Sequence, residues 1–111
     1  MAENKTELLK GTLDLLILST LSLEPKHGLG IARRIAQVTR GTFVVNAGSL
    51  FPALHRLEQE GWIAESPLPP GTHARAKYYR LTPAGQLQLK TETERWDRVS
   101  EAVRRVLLPS S

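Results

Sequence analysis

The chain has 111 residues, of which 41% are hydrophobic, 23% charged and only 5% aromatic, and its formal net charge is +4. This length suits one domain with an appendage, built on an aliphatic core. The absence of cysteine excludes disulfides, thiolate catalysis and cysteine-ligated metals. The start of the chain lacks the order of a signal peptide, and the longest nearly apolar run, residues 13–23, is too short to span a membrane. We therefore expect a cytoplasmic protein with no membrane partner.

The positive charge is concentrated in the middle of the chain. Residues 26–82 hold eight basic and three acidic side chains, whereas residues 1–25 hold two basic and four acidic ones. A basic block attracts phosphate backbones, anionic membrane surfaces or acidic proteins, and charge alone does not choose among them. A solvated basic surface without a partner is the ordinary alternative.

Two helices are predicted in the first third of the chain. Leucine and isoleucine nearly encircle the first, over residues 6–23, so it needs cover on more than one side, which hints at a partner subunit. The second spans residues 27–39, and Gly28 and Gly30 near its start indicate close packing against a neighbouring helix. Residues 42–45 are a brief β-prone run.

A third helix is predicted over residues 46–61. Apolar side chains recur at helical spacing from Leu50 to Leu57, and Gly61 ends the pattern. The other face and the leading end carry small or hydrogen-bonding residues that can be pressed against a polar polymer. We predict that this helix reads DNA and that the following residues face the polymer: Asn46, Gly48, Ser49, His55 and Arg56.

After the third helix the hydrophobic pattern changes to period two. Residues 62–66 and 77–81 predict short strands, and the prolines and glycine between them predict a hairpin loop. Three helices followed by a hairpin with a basic loop describe a winged helix-turn-helix, in which the third helix enters the major groove and the wing touches the adjacent backbone.

The wing strand supplies further predicted DNA contacts. Arg75 and Lys77 would meet the sugar-phosphate backbone, adding affinity and salt dependence more than sequence choice. Tyr78 and Tyr79 alternate faces, so one belongs to the core and the other to the DNA or dimer side. The pattern does not decide which, and Tyr79 is included among the predicted DNA contacts.

A long last helix begins at Thr82, the predicted cap, and extends to about residue 108. Its apolar stripe has the three-and-four spacing of a heptad seam with one acidic interruption, so it needs another helix to cover it. Dimerisation is the preferred interpretation, and packing on its own domain is the alternative. The seam residues are Leu89, Glu92, Trp96, Val99, Val103 and Val106.

The predicted fold class is therefore mainly α with a small β-hairpin (α+β). A winged helix-turn-helix DNA-binding domain would occupy residues 1–82, and a C-terminal dimerisation helix would occupy residues 83–111.

The chain resembles the PadR family of transcriptional regulators, specifically its small members with a single C-terminal dimerisation helix. The resemblance runs from about residue 8 to residue 108. Two positions depart from the family pattern, because Leu29 and Phe51 stand where it usually has tyrosine, and each therefore lacks a hydroxyl group. The resemblance rests on residues 9–14 (LKGTLD), on His27 and Gly28 with Ile31, on residues 49–58 (SLFPALHRLE) and on residues 77–82 (KYYRLT).

The resemblance implies a repressor that binds a pseudo-palindromic operator as a homodimer and whose DNA affinity an effector modulates. Lys10 and Thr12 at the first helix would touch phosphates, although a structural role for Thr12 is equally open. The implied DNA contacts are Lys10, Thr12, Asn46, Gly48, Ser49, Phe51, His55, Arg56, Arg75, Lys77 and Tyr79. The implied dimer contacts are Leu8, Leu15, Leu89, Trp96, Val99, Val103 and Val106.

An effector site is hypothesised at the C-terminal helix. In some small relatives, flat aromatic drugs stack on a tryptophan of this helix at the dimer interface, and Trp96 matches that residue in kind. Glu92, one turn away, would supply a counter-charge for a cationic aromatic ligand. A plain seam residue is the alternative for Trp96.

Catalysis is not expected, and neither is a metal or other cofactor. The three histidines fall on different predicted elements, and no metal-ligand cluster or phosphate-binding glycine loop is evident. A winged helix used only as a protein-interaction module remains the competing interpretation, because a fold does not fix function.

Overall fold

The structure, a computed structural model, describes residues 2–69 and 76–108, with side chains from residue 12 onward. The described residues form four helices, as the sequence predicts, and a small antiparallel sheet. The strand order of the sheet is β1-β3-β2. The elements are α1 (Ala2–Leu21), β1 (Lys26–His27), α2 (Gly28–Val38), α3 (Ala47–Gln59), β2 (Ile63–Ser66), β3 (Tyr78–Leu81) and α4 (Pro83–Leu107).

Helix α1 lies at the centre of the fold. Its buried residues Leu13, Ile17 and Leu18 belong to the same apolar cluster as the inner faces of α2 and α3. From Leu13 to Leu21, the leucine and isoleucine side chains of α1 are therefore buried or partly buried within their own domain. The other fully buried large side chains are Ile31, Leu50, Leu54, Leu57 and Ile63.

The sheet contains one strand more than the hairpin that the sequence predicts. Lys26 and His27 form β1 and pair with Tyr79 and Tyr78 of β3. Two residues are too few to show an alternating pattern, so β1 is defined only by its partner strand. It ties the start of α2 to the wing.

Residues 42–45 form no strand, although their composition favours one. Val45 is buried, Phe43 packs against the core, and the amide of Phe43 donates to Thr39 Oγ1 at 3.1 Å. Strand propensity reflects packing on a sheet surface, and here the same side chains pack against helices. The run becomes the linker between α2 and α3.

Helix α4 begins at the predicted cap and extends beyond the body of the domain. The Thr82 hydroxyl accepts a hydrogen bond from the Gly85 amide at 3.0 Å. Helix α4 contacts α1, and the chain measures 56 × 30 × 22 Å along its principal axes. Among the described residues, no helix has the length and apolarity needed to cross a membrane.

Candidate nucleic-acid interface

The start of α3 is capped by the side chain of Asn46. Asn46 has extended backbone angles, φ −86° and ψ 163°, and its side-chain oxygen accepts a hydrogen bond from the Ser49 amide at 2.9 Å. This bond satisfies one of the free N–H groups of the first turn. The cap fixes where the helix begins and presents its positive end to the surroundings.

The outward face of α3 is neutral and fully accessible. Gly48, Pro52, His55 and Gln59 are all exposed and lie opposite the buried face of the helix. Pro52 has no N–H, so the Gly48 carbonyl lacks its usual donor four residues on. The sequence analysis missed Pro52 and Gln59, although counting from Gly48 at the helical period identifies both.

One flank of this face is closed by an ion pair with α1. Arg56 Nη1 and Nη2 lie 2.6 and 2.8 Å from the two carboxylate oxygens of Asp14. Hydrogen bonding to Asp14 raises the pKa of the Arg56 guanidinium above its usual range. Arg56 was predicted as a DNA contact, and here its two terminal nitrogens face a carboxylate of its own chain. The sequence analysis did not identify Asp14 as its partner.

The opposite flank is closed by an ion pair with the wing. Lys77 Nζ lies 3.0 Å from Glu58 Oε1 and 3.1 Å from Oε2, which ties the base of β3 to α3. This hydrogen bonding raises the pKa of Lys77. Arg56 and Lys77, the two lysine or arginine residues assigned to DNA whose side chains the structure describes, therefore already have acidic partners.

Phe51 packs where α2 meets α3. A β-carbon on Gly28 would lie 2.8 Å from Phe51 Cε1, so a larger residue there would require the Phe51 ring to shift. The Phe51 ring remains 45% exposed. The ring borders a cavity of about 260 Å³ between α2, α3 and the wing, lined by His27, Gly28, Leu29, Phe51, Ala76, Lys77 and Tyr79.

The predicted DNA contact of Tyr79 is wrong for its aromatic ring. Tyr79 is only 7% exposed and belongs to the core, and burial raises the pKa of its hydroxyl. Tyr78 lies on the other face, half-buried, with its ring edge-on to His27 at 5.2 Å between centroids. The two tyrosines alternate faces as predicted, and the structure decides what the sequence left open: Tyr79 is the core tyrosine, and Tyr78 lies on the other face.

Three predicted residues fall outside the described side chains: Leu8, Lys10 and Arg75. Thr12 lies instead beside α4, where it helps to line a cavity of about 210 Å³ between α1 and α4. This position favours the structural role that the sequence left open over a phosphate contact. The lining residues are Thr12, Leu15, Glu92, Arg95, Trp96 and Val99.

The α1/α4 cavity combines one aromatic side chain with a charged pair. Trp96 is 46% exposed. Glu92 Oε2 accepts a hydrogen bond from Gln88 at 2.8 Å, and Glu92 Oε1 lies 3.7 Å from Arg95 Nη1. Arg95, which the sequence analysis did not single out, therefore offsets part of the charge of Glu92.

The predicted seam of α4 divides into two parts. Leu89 is partly buried against the core of its own domain, and its assignment to the dimer interface stays a prediction. The seam residues Trp96, Val99, Val103 and Val106 stay exposed along the outer half of the helix. Contacts of α4 with its own domain thus extend from Leu89 to the α1/α4 cavity, which Trp96 and Val99 also line, and Val103 and Val106 lie beyond it.

Three helices, a hairpin wing and an exposed, capped third helix define a winged helix-turn-helix protein. The model of the transcriptional regulator PadR-like family matches residues 17–91. The chain therefore belongs to the PadR-like family of transcriptional regulators, which confirms the resemblance seen in the sequence.

Solved structures agree with this family over nearly the whole chain. A transcriptional regulator from Clostridium thermocellum is 27% identical, with a TM-score of 0.82 over 92% of this chain and 99% of that chain. A PadR-like regulator from Bacillus cereus is 28% identical, with a TM-score of 0.80 over 94% and 99%. A PadR family regulator from Eggerthella lenta is 29% identical, with a TM-score of 0.78 over 98% and 93%.

Proposed function

We propose that this chain is a transcriptional repressor that binds a pseudo-palindromic operator as a homodimer. The observation that carries the proposal is the outward face of α3, which is exposed from its capped start to its last turn. A helix held on a rigid core, with a wing beside it, suits entry into the major groove.

The residues of α3 divide into two roles in this proposal. The amide of Gly48 and the positive end of the helix approach a phosphate. His55 and Gln59 face base edges, where an amide side chain can pair with adenine through two hydrogen bonds. Phe51 presses its ring against a sugar at the side of the groove.

A second copy of the chain would cover the outer half of α4. Trp96, Val99, Val103 and Val106 are all exposed in the single chain, with fractions from 46% to 83%. A stripe of this kind at heptad spacing is buried when two helices pair. Two paired subunits would present their α3 helices to half-sites about one turn of DNA apart, roughly 34–36 Å.

The α1/α4 cavity would take a planar effector. In one chain it measures about 210 Å³, below the roughly 300 Å³ of ordinary ligand pockets, so a partner subunit would have to enlarge it. Trp96 offers a stacking surface, and the Glu92 carboxylate favours a cation. Occupation of the cavity would alter the placement of α4 against α1 and so the spacing of the two α3 helices.

Selection from a random duplex library with the purified protein tests the operator. We expect an enriched palindrome with half-sites one helical turn apart, and a reporter promoter carrying that sequence should be repressed. Replacing Ser49 and Arg56 with alanine should weaken binding to the selected site while the dimer stays intact. Enrichment of no palindrome would contradict the regulator proposal.

Salt dependence separates this function from a protein-interaction module. Binding to duplex DNA should weaken steeply as salt rises, because each phosphate contact releases a counterion. Retention of one protein partner without salt dependence, together with no binding to DNA, would favour the module instead.

A further inference from the structure

The ion pair between α1 and α3 has an unusual consequence for a residue expected to meet DNA. Both terminal nitrogens of Arg56 are engaged, at 2.6 and 2.8 Å, by the two oxygens of one carboxylate, Asp14. The pair lies at the surface, with side-chain exposures of 48% for Arg56 and 24% for Asp14. It is therefore both well formed and within reach of a polyanion.

The two N–H groups that Arg56 donates to Asp14 cannot be donated to DNA at the same time. Arginine recognises a phosphate, or the O6 and N7 atoms of guanine, through the same pair of parallel N–H groups that it offers to a carboxylate. While Arg56 is paired with Asp14, these two groups are occupied. A bidentate contact with DNA through these same two N–H groups must replace Asp14, and the freed carboxylate then lies beside the phosphates.

We propose that Asp14 withholds Arg56 from the phosphates of nonspecific DNA and yields it only at an operator guanine, whose O6 and N7 atoms a seated α3 would hold against both terminal nitrogens of Arg56. Asp14 is then a positioning residue that lowers random binding relative to operator binding. This inference rests on the proposed function. Partly exposed ion pairs are weak, so the exchange is within reach of one good bidentate base contact.

The neutral outward face of α3 supports this role. Gly48, Pro52, His55 and Gln59 place no fixed positive charge against the groove, and Lys77 on the far flank is itself paired with Glu58. Arg56 and Lys77, the described cations on the two flanks of this face, are thus each paired with a carboxylate. Release of Arg56 from Asp14 would therefore add one unpaired positive charge beside the outward face of α3.

Binding to a random-sequence duplex over a range of salt concentrations tests the proposal. Four proteins are compared: the natural chain, Asp14→Asn, Arg56→Gln and the double variant. The salt slope is the steepness with which DNA binding weakens as salt rises. In the natural chain, Arg56→Gln should leave the salt slope unchanged, because Arg56 makes no contact with random-sequence DNA. In the Asp14→Asn background, the same change should lower the slope by about 0.9 per subunit, the value for one phosphate.

Glu60→Gln is the matched charge control. Glu60 acts on Arg56 through charge only, without the paired hydrogen bonds that Asp14 makes. Glu60→Gln removes one negative charge, as Asp14→Asn does, so binding to random-sequence DNA should tighten modestly. In this background, Arg56→Gln should still leave the salt slope unchanged. A slope that falls on Arg56→Gln in this background would mean that general electrostatics, not the ion pair, controls Arg56.

Two results would overturn the inference. In the first, Arg56→Gln lowers the salt slope equally in the natural chain and in the Asp14→Asn background. In the second, Arg56→Gln lowers the salt slope in neither background. Thermal melts by circular dichroism check the fold of each variant, and Asp14→Ser replaces Asp14→Asn if the latter does not fold. Absence of salt-dependent DNA binding by the natural chain would instead contradict the proposed function itself.

Discussion

Gly85, in the first turn of α4, lies against the carbonyl group of Trp62 with no room for a β-carbon. Thr82 fastens the same junction, since its amide donates to Trp62 O at 3.1 Å and its hydroxyl donates to Gly61 O at 2.6 Å. The start of α4 is therefore anchored to the turn that ends α3. This junction sets the angle between the helix proposed to dimerise and the helix proposed to read DNA.

Replacing Gly85 with alanine should destabilise the fold by about 3 kcal/mol, because the new methyl group collides with backbone that cannot move independently. Thermal or denaturant unfolding followed by circular dichroism measures this. Gly48→Ala is the control, since its β-carbon would meet only the Asn46 side chain, at 3.3 Å. Equal stability of the two variants would show that the junction adapts.

Replacing Asn46 with alanine should cost about 1 kcal/mol of stability, because the Ser49 amide loses its acceptor. The same change should weaken DNA binding, since the first turn of α3 becomes less ordered. Asn46→Ser retains a capping oxygen and should restore most of both. If alanine and serine behave alike, the cap does not organise the interface.

Gln59→Ala and His55→Ala should weaken binding to a selected operator without altering thermal stability. Both side chains are exposed and, in the described part of the chain, make no hydrogen bond that the substitution would remove. Loss of a bidentate base contact costs about 1–3 kcal/mol, which a binding titration resolves. Gln86→Ala, on the exposed surface of α4, should leave operator binding unchanged.

Val103→Glu should convert the proposed dimer into a monomer, because it places a charge in the stripe that a second subunit would bury. Light scattering coupled to size-exclusion chromatography measures the mass. Leu87→Glu is the control: Leu87 is 71% exposed and lies on the opposite side of α4 from Trp96 at 3.6 residues per turn. A dimer that survives Val103→Glu would place the interface elsewhere.

Planar cations should change the fluorescence of Trp96, and Glu92→Gln should weaken their binding while leaving that of neutral planar compounds unchanged. Trp62, which packs against the core, contributes a background that the Trp96→Phe variant defines. Unchanged Trp96 emission across a panel of planar cations, with the dimer intact, would refute the effector site.

Much of α3 was predictable because the sequence features that define this helix are local. The Asn46 cap, the spacing of buried leucines and the final Gly61 lie within one short segment, and Gly61 takes the left-handed backbone angle, φ 80°, that glycine favours. The Thr82 cap of α4 is equally local. Each of these features depends on neighbours a few residues away, so the chain itself contains the needed information.

The partners of the charged and aromatic side chains were not predictable in this way. Arg56 meets Asp14 across 42 residues and Lys77 meets Glu58 across 19, so each pair depends on how helices and wing pack. The faces of Tyr78 and Tyr79 followed from strand alternation, but which face is buried depends on the side from which α1 covers the sheet.

The sequence by itself determined the order of the helices, the winged hairpin and the limits of α3, because caps, glycines and apolar spacing act within a few residues. Only the tertiary structure decided that Tyr79 is buried, that β1 pairs with the wing and that Arg56 faces Asp14. Those outcomes depend on which surfaces meet in three dimensions, and α1, packed against both α3 and α4, brings these surfaces together.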